Sequence, residues 1–141
     1  MGYVSRPSII NAYTQSDTVL VANTAEKTTL NSTSYEKMKE IKLIQTIYVN
    51  SRFRFKFELL IADVGFTAYG KVYKNGVPVG TEYTRNVAGW LATSEDIDIG
   101  DWKVNDTIEL WAKTSSDIHA CHVKNFQMCG SGSPFINTLG M

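Results

Sequence analysis

Between residues 52 and 58 apolar and polar positions alternate without a slip. Phe53, Phe55 and Phe57 fall on one side, and Arg52, Arg54, Lys56 and Glu58 on the other. Successive strand side chains point to opposite faces, so this stretch predicts a strand with one apolar and one wet face. The pattern returns at residues 96–99, where Ile97 and Ile99 oppose Asp96 and Asp98, and at residues 107–113, where Ile108, Leu110 and Ala112 form the inner set. Asn75-Gly76 separates two apolar runs, residues 71–74 and 77–79. A two-residue hairpin turn needs positive φ at both positions, and Asn-Gly supplies it. Residues 18–22 predict a first short strand, 80–85 a continuation of the hairpin ribbon, and 118–129 the last strand. Residues 34–49 are mixed: Met38, Ile41, Ile44 and Tyr48 have helical spacing, but the second half is β-branched and runs into Asn50-Ser51. That predicts one strand over 39–49. Short strands with turn residues every roughly 8–12 positions predict an all-β fold, an antiparallel β-sandwich of jelly-roll type with about eight strands.

Residues 1–16 read as an N-terminal arm, 17–130 as the sandwich and 131–141 as a loop-like tail. A chain of 141 residues, 43% apolar and 20% charged, suits one folded core and argues against disorder. Fourteen basic and fourteen acidic residues cancel, which gives no global field to favour nucleic acid or an anionic membrane surface. No apolar run approaches the ~18 residues of a membrane-spanning helix. The first residues lack the basic and apolar regions of a signal peptide, so none is expected. Met1-Gly2 is not a myristoylation signal, because Arg6 stands where Ser or Thr is required.

Chemistry is sparse. Both histidines lie in Ile118-His119-Ala120-Cys121-His122-Val123, where a straight strand puts His119 and Cys121 on one face and His122 on the other. A zinc site needs three or four converging ligands, and a cysteine nucleophile needs a base in reach; this spacing predicts neither. Cys121 and Cys129 are too far apart in one extended strand for a disulfide, so free thiols are expected. The acidic run at residues 94–101 lacks the ligand order of an EF-hand loop and reads as a solvated strand face. The glycines do not form a phosphate cradle, and no GxSxG elbow is present. Asn31 and Asn105 begin formal glycosylation sequons that mean little without secretion.

From Ile41 onward the chain also carries a likeness. An Arg-Phe-Lys-Phe strand precedes Thr67-Ala68-Tyr69-Gly70-Lys71-Val72-Tyr73-Lys74-Asn75-Gly76-Val77-Pro78-Val79-Gly80-Thr81-Glu82, and Ser94-Glu95-Asp96-Ile97, Asp106-Thr107-Ile108-Glu109-Leu110-Trp111-Ala112-Lys113 and Val123-Lys124-Asn125-Phe126 follow. This order resembles a β-sandwich domain of phage, prophage and archaeal-virus structural proteins, found in tails, fibres and spikes. The resemblance covers less than two-thirds of the chain and leaves residues 1–33 unmatched. It implies a non-enzymatic structural or attachment protein that self-associates as a trimer, with other virion proteins or a host-surface glycan as partners. It further implies a location in the virion or the cytoplasm of the producing cell, and it brings neither catalytic residues nor a cofactor.

Aromatic residues are the remaining lead. Tyr83, Trp90, Trp102 and Trp111 are candidates for an interface or for stacking on a ligand, since Tyr and Trp pair a large apolar face with a polar tip. Trp111 shares the predicted outer face with Thr107, Glu109 and Lys113. Two functions of different class therefore stand, a trimeric virion component and a stand-alone carbohydrate-binding module using Tyr83, Trp90 or Trp102. A hydrolase would need a polar constellation that the sequence does not assemble.

Overall fold

The computed structural model describes residues 14–29, 32–43, 47–131 and 138–140. Eleven strands follow in chain order: β1 (Thr14–Asn23), β2 (Lys27–Thr28), β3 (Glu36–Leu43), β4 (Ile47–Ile61), β5 (Ala68–Lys74), β6 (Val77–Pro78), β7 (Tyr83–Arg85), β8 (Leu91–Trp102), β9 (Thr107–Thr114), β10 (Cys121–Ser131) and β11 (Thr138–Gly140). The first sheet runs β1-β10-β4-β8, with β2 also on β10; the second runs β11-β3-β9-β5-β6, with β7 also on β5. All pairings are antiparallel. The chain crosses sheets from β1 to β3, β4 and β5, stays for β6 and β7, then crosses again to β8, β9 and β10. That is the interleaved Greek-key path of a jelly roll, with β6 and β7 sharing one strand position and β2 and β11 as additions.

The alternating segments supply the core. Phe53, Phe55, Phe57 and Leu59 of β4 face Ile41 and Leu43 of β3 and Ile108 and Leu110 of β9, with Val123, Phe126 and Met128 of β10 filling the same layer. Phe55 and Phe126 stack with centroids 6.4 Å apart. Burial of each such side chain contributes roughly 1.5–3 kcal/mol. Gly70 lies close under the β4 core, where an added Cβ would lie 2.8 Å from Cε2 of Phe57. At the hairpin, Asn75 and Gly76 take φ of 51° and 79°, as the Asn-Gly pair predicts.

Several boundaries differ from the sequence expectation. Residues 39–49 do not form one strand: β3 ends at Leu43 in the second sheet and β4 starts at Ile47 in the first. The run is apolar in sequence on both sides of the change and carries no mark of it. Asn50-Ser51 is not a turn but part of β4, where the register with β8 shifts. The ribbon does not continue through residues 80–85, because β6 stops at Pro78 and β7 returns to the other half of β5, pairing Tyr83 with Gly70. β8 runs through Gly100, whose φ of 69° bends the strand without ending it. The last strand begins at Cys121, three residues later than expected.

A bulge in β10 has wider effects. Between Lys124 and Gln127 the pairing with β4 slips, and Asn125 takes a left-handed φ of 56°. One extra residue reverses the faces that follow. Cys121 pairs with inward Ile61, whereas Cys129 pairs with outward Arg54. The two free thiols are both buried, on opposite sides of the sheet.

Candidate functional site

β4 projects Arg54, Lys56 and Glu58 from the outer face of the first sheet, between β10 and β8. Opposite Glu58 on β8 stands Ala92, and opposite Lys56 stands Ser94. Small side chains beside long ones leave a depression of about 150 Å³, lined by Lys56, Phe57, Glu58, Ala92, Thr93, Asn125 and Gln127. Its walls are fixed locally. The Asn125 N–H donates to the Thr24 carbonyl at 3.2 Å, which holds the bulge, and its side-chain amide donates to Glu58 Oε2. The Thr93 hydroxyl donates to the Phe57 carbonyl at 3.0 Å and accepts the Phe57 N–H at 3.3 Å, so it forms floor. Lys56 is steadied by Asp17, 2.8 Å away in the irregular part of β1, and Asp17 also meets Arg54 at 3.0 Å. Arg54 in turn grips Asp96 through Nε at 2.8 Å and Nη2 at 3.3 Å. Hydrogen bonds from Lys56 and Arg54 hold the Asp17 carboxyl below the usual carboxylate range, and Arg54 does the same to Asp96.

Trp90 is close to this depression in sequence but is not one of the residues that line it. It lies two residues before Ala92, and its ring carries the ammonium of Lys124, 4.2 Å from the centroid. Lys124 is the cross-strand partner of Glu58. The half-exposed indole thus meets one ammonium, that of Lys124, whose strand partner Glu58 lines the depression.

The outer face of the second sheet spends its aromatics differently. Tyr73 and Trp111 stack at 4.5 Å with 15° between planes, and Tyr35 leans on Tyr73 at 6.0 Å. Lys113 sits 4.8 Å from the Tyr35 ring and 4.9 Å from that of Tyr69. The Trp111 indole N–H donates to Glu109 at 2.8 Å; that carboxylate also accepts the Gly76 N–H at 3.1 Å and the Thr107 hydroxyl at 2.5 Å. Glu109 is 4% exposed with three donors, a satisfied buried charge that ties the hairpin turn to β9. Burial, followed by the hydrogen bond to Glu82, pushes the Tyr35 hydroxyl far above its ordinary pKa.

The four sequence candidates do not converge. Tyr83 is half-buried against the core, its ring at 84° to that of Phe57 with centroids 5.8 Å apart, and its hydroxyl donates to the Ser94 carbonyl at 3.4 Å. Trp111 is on the outer face as expected, covered by Tyr73. The Trp102 backbone ends β8 opposite Ile47, and its side chain lies outside the described residues. Trp90 is linked to the depression indirectly, through Lys124, the strand partner of Glu58. Asn125, Gln127 and Ala92 were not singled out by sequence; the consecutive polar pair Lys124-Asn125 inside an apolar strand is the signal that marks the bulge.

The Cys-His segment makes no nucleophile. Cys121 is fully buried, its thiol donates to the Lys113 carbonyl at 3.4 Å, and burial pushes its pKa up to about 11. His119 stacks on Phe66 at 4.4 Å and lies 3.8 Å from Asp63. His122 Nδ1 meets both the Thr28 hydroxyl at 2.8 Å and Glu26 at 3.2 Å. Both partners share one ring nitrogen, so the ring cannot relay a proton between them as a triad histidine does. In the acidic run, Glu95 accepts the Thr81 N–H and hydroxyl at 2.9 and 2.6 Å, and Asp98 accepts the Gly100 N–H at 3.0 Å. These carboxylates serve turns and strand contacts.

No protein-family model matches the chain, and no curated protein matches it. Among solved structures the chain is similar to the C-terminal domain of EclA, described as a sugar-binding protein. Identity is 10%, the alignment covers 75% of this chain and 78% of that one, and the TM-score is 0.47.

Proposed function

We propose that the protein is a non-enzymatic carbohydrate-binding module that receives a sugar on the outer face of its first sheet. The observation that carries this reading is the depression on that face, where Glu58, Gln127, Asn125 and Lys56 surround the small side chain of Ala92, with Trp90 linked to it through Lys124, the strand partner of Glu58. A sugar ring needs that combination: hydroxyls want paired polar groups, and the C–H face of the ring wants an aromatic plane. At roughly 0.3 kcal/mol for each of about twelve heavy atoms, one sugar gains about 4 kcal/mol, a Kd on the order of 1 mM. Affinity of use to a cell then comes from several sugars or several copies. The test is tryptophan fluorescence against a panel of oligosaccharides, with Trp90→Ala and Glu58→Gln in parallel. Saturable quenching lost in Trp90→Ala supports the reading; quenching by no member of the panel, or quenching unchanged in Trp90→Ala, overturns it.

A self-associating virion component is the second reading. It is favoured by three exposed valines at one end of the sandwich: Val77 at 61%, Val79 at 37% and Val104 at 49%. Hydrogen bonds from Asn75 to Asp106 and from Thr107 to Asn75 keep the hairpin and the β8–β9 turn side by side, so the valines form one end surface. Light scattering decides: a concentration-independent trimer that Val77→Asp dissociates supports this reading, and a monomer at all concentrations removes it.

A further inference from the structure

β11 pairs with β3 only at Ile41, Lys42 and Leu43. Toward its start, β3 therefore borders the open seam between the sheets, facing β1 and β2. Lys39 has the inward parity of Ile41 and Leu43 and reaches across this seam, where its ammonium donates to Asn23 Oδ1 of β1 at 2.9 Å. It is only 3% exposed. An ammonium has three donors, and Asn23 is the one hydrogen-bond acceptor that Lys39 finds among the described residues. It forms no ion pair there either: the nearby Glu40 carboxylate is taken by Lys37 at 2.8 Å. A lysine kept for its aliphatic stem would extend its head to water, and a buried charge without a counter-ion is costly.

The seam holds a cavity of about 240 Å³ lined by Lys27, Lys37, Met38, Lys39 and Glu40. Three lysines and one carboxylate, itself paired, leave an excess of positive charge around a small space. Burial, and then the neighbouring Lys27 ammonium, hold the Lys39 pKa below the ordinary lysine value. Two cations that repel one another beside a cavity describe the empty half of an ion pair.

We propose that this seam is an oxyanion site in which Lys39 and Lys27 receive the carboxylate, sulfate or phosphate of a small anion or of an acidic sugar. The volume lies below that of drug-sized pockets, roughly 300–1,000 Å³, and suits one charged group and the ring that bears it. Ammonium-to-oxyanion hydrogen bonds are of the strong, charge-assisted kind. The site is separate from the depression on the outer face of the first sheet and does not depend on what binds there.

The test is an amide NMR titration of the full chain with sodium phosphate, sodium sulfate and sodium glucuronate at constant ionic strength, balanced by chloride. The expected result is saturable shifts at Lys27, Met38, Lys39 and Glu40, with affinity falling at least about tenfold in Lys39→Met and by a smaller factor in Lys27→Gln. Trp90→Ala leaves this titration unchanged, so failure here and failure of the sugar site are told apart. Glucuronate binding tighter than either inorganic ion assigns the acidic sugar; the reverse order assigns a free anion. Linear shifts matched by chloride, or wild-type affinity in the lysine variants, overturn the proposal. Should Lys39→Met fail to fold, the exposed Lys27→Gln variant still decides.

Discussion

On the second sheet Trp111 lies flat against Tyr73, its indole N–H is held by Glu109, and the neighbouring tyrosine rings take the ammonium of Lys113. On the first sheet Trp90 has no ring partner among the described residues; one lysine visits it, and the strand partner of that lysine, Glu58, lines a polar depression. Both faces carry aromatic and charged side chains and pair many of them internally; they differ in that Trp111 is stacked on another ring, whereas Trp90 meets only a lysine among the described residues. An outward aromatic is therefore a candidate ligand platform only where its face and its polar edge are not already committed. The same distinction separates two buried charges. Glu109 has three donors, whereas Lys39 has a single acceptor among the described residues.

Breaking the layer that both faces share should have the largest effect. Phe55→Ala should cost about 3–5 kcal/mol in urea unfolding, because the surrounding sandwich can collapse only partly into the space. Within the second face, Glu109→Ala leaves an amide N–H, a hydroxyl and an indole N–H without their acceptor. It should cost about 2–3 kcal/mol, and Trp111→Phe, which removes one of these bonds, about 1 kcal/mol. If Glu109→Ala is neutral, this face is not committed as described.

The first face should respond to pH rather than to truncation. Asp17 and Asp96 have folded pKa values below the ordinary carboxylate value, so their contribution is full above about pH 4 and is lost as pH falls through the lowered values. Arg54→Ala should accordingly be less stable than the wild type at pH 7, by less than Phe55→Ala is, with the gap closing toward pH 2. Salt should narrow it as well, since these groups are accessible to solvent. A gap independent of pH would mean that the Arg54 stem, not its ion pairs, carries the effect.

Much of the fold was legible in the sequence because its strongest signal, the alternation at Phe53, Phe55 and Phe57, belongs to the central strand of one sheet. Asn75-Gly76 marked its hairpin for an equally local reason. The passage from β3 to β4 was not legible, since strands of either sheet bury the same kinds of side chain. The bulge at Asn125 puts Cys129 on the opposite side of the sheet from Cys121, although the two are an even number of residues apart, a backbone event that a two-residue period cannot register. The candidate site was visible only through Trp90. Glu58 could be read as an outward residue, but Ala92 and Gln127 gain meaning only from the register that sets them around it. Lys39 was hidden for the opposite reason: a charged residue in a strand start reads as solvated, and only the seam between sheets shows it enclosed.

The most direct test compares the two tryptophans. Trp90→Ala and Trp111→Phe are titrated with the oligosaccharide that quenches the wild type most, followed by amide shifts. Loss of binding in Trp90→Ala with shifts confined to Glu58, Ala92, Asn125 and Gln127 in the wild type, and wild-type affinity in Trp111→Phe, is the predicted result. Binding that survives Trp90→Ala and vanishes in Trp111→Phe would place the site on the committed face and contradict the account.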